Sequence, residues 1–128
     1  GDMQLDPHYD DVVVEINRFL GARIAWLAEQ GVDRSRVIVD PGLGFGKTLS
    51  HNLDILRKVQ SFKQHGCPVL IGHSRKSFLG ELLDLEVAER DPATAVVSAL
   101  LASRGVDIVR VHDVQASRQA VQLVTSFG

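Results

Sequence analysis

Polar side chains follow three short apolar runs in this 128-residue chain. Asp40 follows the run at 37–39, the segment 73–77 follows the run at 69–71, and Arg110 and His112 close the run that begins at Ile108. A carboxylate can accept two N–H donors side by side from a planar ring, and an arginine can stack on such a ring and still reach an anion. In parallel α/β folds, ligands bind at the carboxyl ends of the strands. The pattern therefore predicts a ligand site at one edge of a sheet.

A glycine-rich segment, Pro41-Gly-Leu-Gly-Phe-Gly-Lys-Thr48, follows Asp40 directly. A Walker A loop needs a glycine five positions before the glycine of Gly-Lys-Thr, and Pro41 occupies that position. The dinucleotide fingerprint needs a glycine where Lys47 stands, so neither phosphate-loop motif is present. Three alternating glycines predict repeated positive φ or a backbone close to a flat ligand. A tight turn without a ligand is the alternative.

Each charged candidate also has an ordinary explanation. Asp40 could brace its own loop or cap a helix. Arg75 and Lys76 are adjacent, so we expect only one to face a site, and a solvated basic turn would explain both if they stood alone. Arg110 and His112 are two residues apart and share one side of a strand end, which favours a site for a diphosphate or another leaving group.

Two further features concern Ser77 and the other histidines. Ser77 lies near a predicted helix start, where free N–H groups would stabilise a carboxylate or phosphate. The role of His73 is open between structure and function. Structural roles explain the remaining histidines better: His8, His51 and His65.

The spacing of apolar residues predicts an α/β fold with the order αβαβαβα. Helices are expected at 9–30, 50–65, 91–102 and 116–127, with one or two helical turns at 76–85. Parallel strands are expected at 36–40, 69–71 and 107–111, joined by right-handed crossovers. The run at 36–40 is apolar on both faces, which is typical of a strand buried on both sides. We expect Ser50 or Asn52 to cap the second helix, and Asp91 to cap the helix that begins beside Pro92.

Composition narrows the class of protein. The chain is 45% hydrophobic and 23% charged, with a formal net charge of −2. This composition suits a folded domain and argues against nucleic acid or an anionic membrane as the main partner. Cys67 is the single cysteine, which excludes an internal disulfide framework. Without a visible signal peptide or spanning segment, we expect a cytoplasmic protein.

Three motifs together resemble the dihydropteroate synthases of folate biosynthesis. They are Asp40-Pro-Gly-Leu-Gly-Phe-Gly-Lys47, Ser74-Arg-Lys-Ser77-Phe78 and Arg110-Val-His-Asp113-Val114, and the resemblance extends from about Met3. It implies a (β/α)₈ TIM barrel. It also implies the condensation of 6-hydroxymethyl-7,8-dihydropterin diphosphate with para-aminobenzoate to dihydropteroate and diphosphate. Sulfonamides are the inhibitors that this class implies.

The resemblance also implies roles for individual residues. Asp40 would hold the amino and N–H edge of the pterin, and Lys76 would contact its ring beside the incoming amine. Arg110 would cover the pterin face and bind the departing diphosphate together with His112, so that Lys76, Arg110 and His112 form the catalytic set. Ser77 would approach the carboxylate of para-aminobenzoate and Phe45 its ring, and Gly44 is a further substrate-binding residue. These roles need no side-chain nucleophile, which fits a dissociative substitution stabilised by preplaced charges.

The length points to incompleteness. A (β/α)₈ barrel takes about 250 residues, and the three predicted strands match the sixth to eighth of the family. Residues 1–128 would thus be the C-terminal part of a barrel, with the N-terminal part absent. The intact enzyme is expected to use Mg²⁺, whose asparagine ligand follows the first strand and lies outside this chain. We expect the chain to be inactive alone.

Two other classes stay open. A pterin-binding methyltransferase with a corrinoid partner would share the Asp-Pro-Gly strand end, although the Ser-Arg-Lys-Ser and Arg-Val-His-Asp motifs argue against it. A non-catalytic, self-associating fragment is the second alternative, because three parallel strands leave open edges with apolar faces. The family's homodimerisation through helices of this half also favours self-association.

Overall fold

The computed structural model describes residues 11–128. Its helices are α1 (Val12–Glu29), α2 (Leu49–Arg57), α3 (Ser77–Leu83), α4 (Asp91–Ser103) and α5 (Val114–Phe127). The strands are β1 (Leu70–Ile71) and β2 (Ile108–Val109), and short 3₁₀ helices span Arg34–Arg36, Val59–His65 and Val87–Glu89. The predicted start of the first helix, at Tyr9 and Asp10, lies outside the described residues.

Helix α1 follows the predicted apolar stripe. Val12, Ile16, Leu20 and Ile24 are buried and lie on one face, as a 3.6-residue period requires. The Asp11 carboxylate caps the helix by accepting the N–H groups of the second and third helical residues at 3.1 Å. The cap therefore sets the start of α1, and the buried stripe packs the helix against the hydrophobic core.

The sheet is smaller than predicted. Strands β1 and β2 are parallel, with Leu70 opposite Ile108 and Ile71 opposite Val109. The predicted strand at 36–40 is reduced to one parallel bridge, between Val39 and Val69. Its expected burial on both faces is wrong, because Ile38 is 54% exposed while Val39 is buried. Among residues 11–128, the segment is therefore buried on the Val39 side and more than half exposed at Ile38.

Two predicted helix caps are also wrong. Thr48, not Ser50 or Asn52, caps α2, and it does so in a capping box with His51. Asp91 is the first residue of α4, and Arg90 stands at the N-cap, so Pro92 lies inside the first turn. The predicted helix 50–65 divides at Arg57, after which the chain continues as the 3₁₀ segment Val59–His65.

The core lies between the strands and the helices. Fully buried side chains from every layer meet there, among them Ile16, Ile55, Phe62, Ile71 and Phe78. Helix α4 packs against α5 beside β2. Across the part of the chain that the structure describes, no helix has the length and apolar character needed to span a membrane. The packing leaves the loops after Val39, β1 and β2 at one edge.

Candidate ligand site at the carboxyl edge of the strands

The glycine loop has the backbone geometry that the sequence predicts. Gly42, Gly44 and Gly46 have φ angles of 75°, 91° and 61°, in the left-handed region that favours glycine. Lys47 braces the loop, because its Nζ donates to the carbonyls of Gly42 at 2.9 Å and Phe45 at 3.0 Å. Burial lowers the pKa of this lysine, and the nearby Asp40 charge partly opposes the shift.

A buried amide supports the same loop from below. Asn52 on α2 is 3% exposed, and its Oδ1 accepts the Gly44 N–H at 2.8 Å. The Lys47 ammonium and the Asn52 amide therefore both hold the loop.

The Asp40 carboxylate does two things. Its Oδ1 accepts the Gly42 N–H at 2.9 Å, which is the loop-bracing role. Its Oδ2 lies 4.0 Å from Nη1 of Arg110, across the edge of the sheet. The side chain of Asp40 is 41% exposed, so the carboxylate can still accept donors from a ligand.

The turn after β1 separates the two adjacent cations. Arg75 has a φ of 58°, unusual for a residue with a side chain. Its N–H donates to Thr94 Oγ1 at 3.2 Å, and its guanidinium makes two bonds with Asp91, at 2.9 and 3.0 Å. The Arg90 guanidinium donates to the Arg75 carbonyl at 2.9 Å. The hydrogen bonds between the Arg75 and Asp91 side chains raise the pKa of Arg75 and lower that of Asp91.

Lys76 is the cation that faces the glycine loop. Its Nζ lies 4.3 Å from the centre of the Phe45 ring, within the range of a cation–π contact. The Lys76 side chain also passes Gly44, where a β-carbon would meet its Cδ at 3.1 Å. Ser77 follows as the first residue of α3 and is exposed.

Arg110 and His112 stand at the end of β2. The Arg110 guanidinium lies over the Cα of Gly72 and is 62% exposed. His112 contacts the turn after β1, because its Nδ1 lies 2.6 Å from the hydroxyl of Ser74. The loops after both strands are thus linked through polar side chains at the site.

His73 has a structural role. It is fully buried, and its Nε2 lies 2.9 Å from Ser98 Oγ and 3.2 Å from the Thr94 carbonyl oxygen. Ser98 Oγ lies in turn 2.8 Å from Ser117 Oγ on α5. Burial lowers the pKa of His73, against the opposing effect of its hydrogen bonds to backbone.

The site combines the predicted residues with supporting residues that were not predicted to take part in it. The structure places Asp40, Gly44, Phe45, Lys76, Arg110 and His112 on the three loops at one edge, and Ser77 at the start of α3 next to Lys76. Sequence analysis missed the supporting residues Lys47, Asn52 and Thr94. The signal for Lys47 was its position in the glycine loop. Asn52 and Thr94 lie on helices, and no local sequence pattern indicates their contacts.

Metal binding has no local support. Within residues 11–128, no group of three or more His, Cys, Asp or Glu side chains is placed to hold a metal ion.

The architecture is that of an α/β protein, with cationic and aromatic side chains that form a candidate ligand site at the carboxyl ends of parallel strands. The sequence model described as pterin binding enzyme matches residues 1–112. This chain belongs to the pterin-binding enzyme family.

Known relatives are dihydropteroate synthases. The Escherichia coli K12 enzyme is 39% identical over 122 residues, which are 95% of this chain and 43% of that protein. A structure of the Xanthomonas albilineans enzyme in complex with 7,8-dihydropteroate matches 98% of this chain and 48% of its own, with a TM-score of 0.94 and 39% identity. A Yersinia pestis enzyme in a sulfonamide drug complex matches 97% of this chain and 45% of its own, with a TM-score of 0.92 and 35% identity. The chain therefore spans less than half the length of these relatives.

Proposed function

We propose that this chain supplies the C-terminal βα units of a dihydropteroate synthase barrel, with strands corresponding to the sixth to eighth. The observation that carries the proposal is the facing pair Asp40–Arg110, 4.0 Å apart, beside Lys76 over the Phe45 ring. A carboxylate, two cations and an aromatic ring at one edge suit a substrate with a planar heterocycle and an anionic leaving group. The dihydropteroate synthases with 35–39% identity and TM-scores of 0.92–0.94 support the same assignment.

The reaction proposed is the condensation of 6-hydroxymethyl-7,8-dihydropterin diphosphate with para-aminobenzoate. The bond between the methylene carbon and the diphosphate oxygen breaks, and the oxygen keeps the electron pair. The amine nitrogen then forms a bond to that carbon and releases a proton. The products are dihydropteroate and diphosphate.

Each site residue has a proposed role that follows from its charge. Asp40 accepts N–H donors from the pterin edge through the carboxylate that also holds Gly42. Lys76 lies against the pterin ring, and its position over Phe45 keeps the ammonium at the loop. Arg110 and His112 bind the diphosphate as it takes up negative charge. Preplaced cations of this kind stabilise a developing anion without reorganising in the transition state.

The para-aminobenzoate contacts proposed here come from the glycine loop and α3. Phe45 is 58% exposed, so its ring is free to stack on a second aromatic ring. The exposed hydroxyl of Ser77 is proposed to approach the carboxylate of that substrate. Both groups lie beside Lys76, which places the incoming amine near the pterin.

The chain alone is proposed to bind without turning over. Its relatives are more than twice as long as the matched segment, and the rest of the active site belongs to that remainder. Magnesium, if the full enzyme uses it, is proposed to bind residues outside this chain. The cytoplasmic location stays a prediction.

Calorimetric titration tests the binding proposal. The chain is titrated with 6-hydroxymethyl-7,8-dihydropterin diphosphate and separately with inorganic diphosphate. Arg110→Ala should weaken both by about tenfold to a hundredfold, the loss expected for a hydrogen bond to a charged group. The matched control is Arg57→Ala, which removes an exposed arginine paired with Asp54 on the same helix. Equal affinities for Arg110→Ala and the unmodified chain would overturn the proposal.

An assay of dihydropteroate formation tests the inactivity. The chain is incubated with both substrates and Mg²⁺, with the full-length Escherichia coli enzyme as the positive control. We expect no product above background. Sustained turnover by the chain at a rate like that of the control would show that the site is complete without a further segment.

Self-association through α2, α3 and α4 is the second part of the proposal. These helices form an apolar groove of about 380 Å³. The exposed apolar side chains along it are Leu82, Leu83, Val96 and Leu100. A patch of this kind on a soluble chain marks an interaction surface, and a second copy of the chain is the occupant we propose.

Sedimentation velocity separates this surface from the open strand edge. Leu100→Glu in the groove should shift the chain to monomer, whereas Leu123→Glu on α5 should not. If Ile108→Lys on β2 abolishes association and Leu100→Glu does not, the strand edge is the contact and the groove is not.

A further inference from the structure

The Ser74 hydroxyl contacts both the backbone and the imidazole ring of His112. Ser74 Oγ accepts the backbone N–H of His112 at 3.1 Å and lies 2.6 Å from Nδ1 of the same residue. Ser74 follows β1 and His112 follows β2, 38 residues further along the chain. The contact therefore ties the loops after the two strands to each other.

The proton inventory of this contact favours one form of the imidazole. A backbone N–H can only donate, so Ser74 Oγ is the acceptor in that bond. The oxygen has a second lone pair that could accept from Nδ1–H, but the hydroxyl proton would then have no acceptor among residues 11–128. A hydroxyl that donates to Nδ1 satisfies both groups within the chain, and a neutral ring that accepts there carries its proton on Nε2.

Ser74 is itself held rigidly on both sides. The preceding His73 is fully buried and bonded to α4 through Ser98. The following Arg75 is fixed by its N–H bond to Thr94 and its paired bonds to Asp91. The hydroxyl is therefore positioned before any ligand arrives, which is the condition for a preorganised donor.

The charged neighbours of His112 are otherwise engaged. Asp91 interacts electrostatically with His112, but both of its oxygens accept from Arg75. Asp113 caps α5 by accepting the Ala116 N–H at 3.1 Å. Nε2 of His112 makes no hydrogen bond within residues 11–128. Its N–H is thus available to a ligand beside Arg110.

We propose that Ser74 is a positioning residue that fixes His112 as the Nε2–H tautomer, with that N–H presented to an anionic ligand. The ligand rests on the proposed function, in which His112 and Arg110 hold a diphosphate. The tautomer does not, because it follows from contacts inside the chain. The two parts can therefore fail separately.

Nuclear magnetic resonance of the ¹⁵N-labelled chain tests the tautomer. Long-range ¹H–¹⁵N spectra, recorded at a pH where the imidazole is neutral, give the ratio of Nε2–H to Nδ1–H for His112. The ratio should strongly favour Nε2–H, and Ser74→Ala should lower it by about threefold to tenfold, the effect of one hydrogen bond. Ser74→Thr keeps the hydroxyl and should restore the ratio. His65, whose Nε2 bonds to Asn17, is the internal control and should not change.

A dominant Nδ1–H form in the unmodified chain would overturn the proposal, and so would an unchanged ratio in a folded Ser74→Ala chain. If Ser74→Ala fails to fold, the unmodified chain and Ser74→Thr still decide, because both must show the Nε2–H form.

Titration with inorganic diphosphate tests the ligand separately. Ser74→Ala should bind about threefold to tenfold more weakly than the unmodified chain, and Ser74→Thr should bind as well as it. Unchanged affinity in Ser74→Ala with an altered tautomer ratio would overturn the link between the tautomer and the anion. Failure of the unmodified chain to bind diphosphate would count against the proposed function and leave the tautomer result standing.

Discussion

The guanidinium of Arg110 lies so close over Gly72 that a β-carbon there would come within 2.3 Å of Nη2. Glycine therefore serves at this position through the absence of a side chain, since its φ is not in the left-handed region. Gly72 directly follows β1 and Arg110 directly follows β2, so this contact sets the position of the guanidinium relative to Asp40.

Gly72→Ala should displace Arg110 without unfolding the chain. The clash falls on the far end of a flexible, 62% exposed side chain, which can move at small cost. Affinity for inorganic diphosphate should drop about tenfold or more, with little change in Tm. Calorimetry and thermal unfolding measure the two quantities.

The matched control for this variant is Gly21→Ala in α1, where the nearest atom to a β-carbon is His65 Cε1 at an ordinary 3.7 Å. It should raise stability by about 0.5–1 kcal/mol, because alanine is the better helix former, and leave diphosphate affinity alone. A large fall in Tm for Gly72→Ala with unchanged affinity would assign Gly72 a packing role instead.

Phe45→Ala should separate binding from stability. The ring is 58% exposed, so its removal forfeits little core packing. It also removes the surface on which the Lys76 ammonium rests. Affinity for 7,8-dihydropteroate should fall by about fivefold to tenfold, the value of an aromatic or cation–π contact, while Tm shifts little. Phe127→Ala, at an 87% exposed ring on α5, is the control. Loss of stability without loss of affinity would contradict the role.

The sequence predicts the fold where periodicity carries the information. Residues of α1 buried in the structure, such as Ile16 and Ile24, repeat at helical spacing along the chain. The strand at 36–40 could not be delimited in this way, because pairing depends on neighbours and not on composition. Val39 pairs with Val69 and is buried, whereas the neighbouring Ile38 is 54% exposed.

In the candidate site, too, some residues could be predicted from the sequence and others could not, because their contacts depend on the tertiary fold. Asp40, Lys76 and Arg110 could be found because charged residues at strand ends meet at one edge. Asn52 could not, because its bond to Gly44 links a helix face to a loop eight residues away. The sequence also could not show that Arg75 contacts Asp91 while Lys76 contacts Phe45. The two side chains diverge in the turn between β1 and α3, where Arg75 has a φ of 58°.

Asn52→Ala should destabilise the chain, because it leaves the Gly44 N–H without its acceptor. The loss of one hydrogen bond costs about 0.5–1.5 kcal/mol, and the loss falls at a side chain that is only 3% exposed. Urea unfolding measures the free energy of unfolding directly. Asn52→Leu keeps a side chain of similar volume without the acceptor and should also destabilise the chain. A leucine variant as stable as the unmodified chain would show that the fold needs the volume of this side chain and not the bond to Gly44.

The stability of the fold should fall as the pH is lowered below 6.5, the ordinary pKa of histidine. Burial lowers the pKa of His73, so the unfolded chain takes up a proton at a pH where the folded chain does not. Unfolding is then favoured as the pH falls, by at most about 1.4 kcal/mol per pH unit for one such group. Burial and the Arg34 charge also lower the pKa of His65, which adds to the dependence of stability on pH.

Thermal unfolding of the unmodified chain, His73→Gln and His65→Gln between pH 8 and pH 5 measures the contribution of each histidine to this dependence. The slope should flatten most in His73→Gln, and an unchanged slope there would mean that this histidine stays accessible to protons in the folded chain.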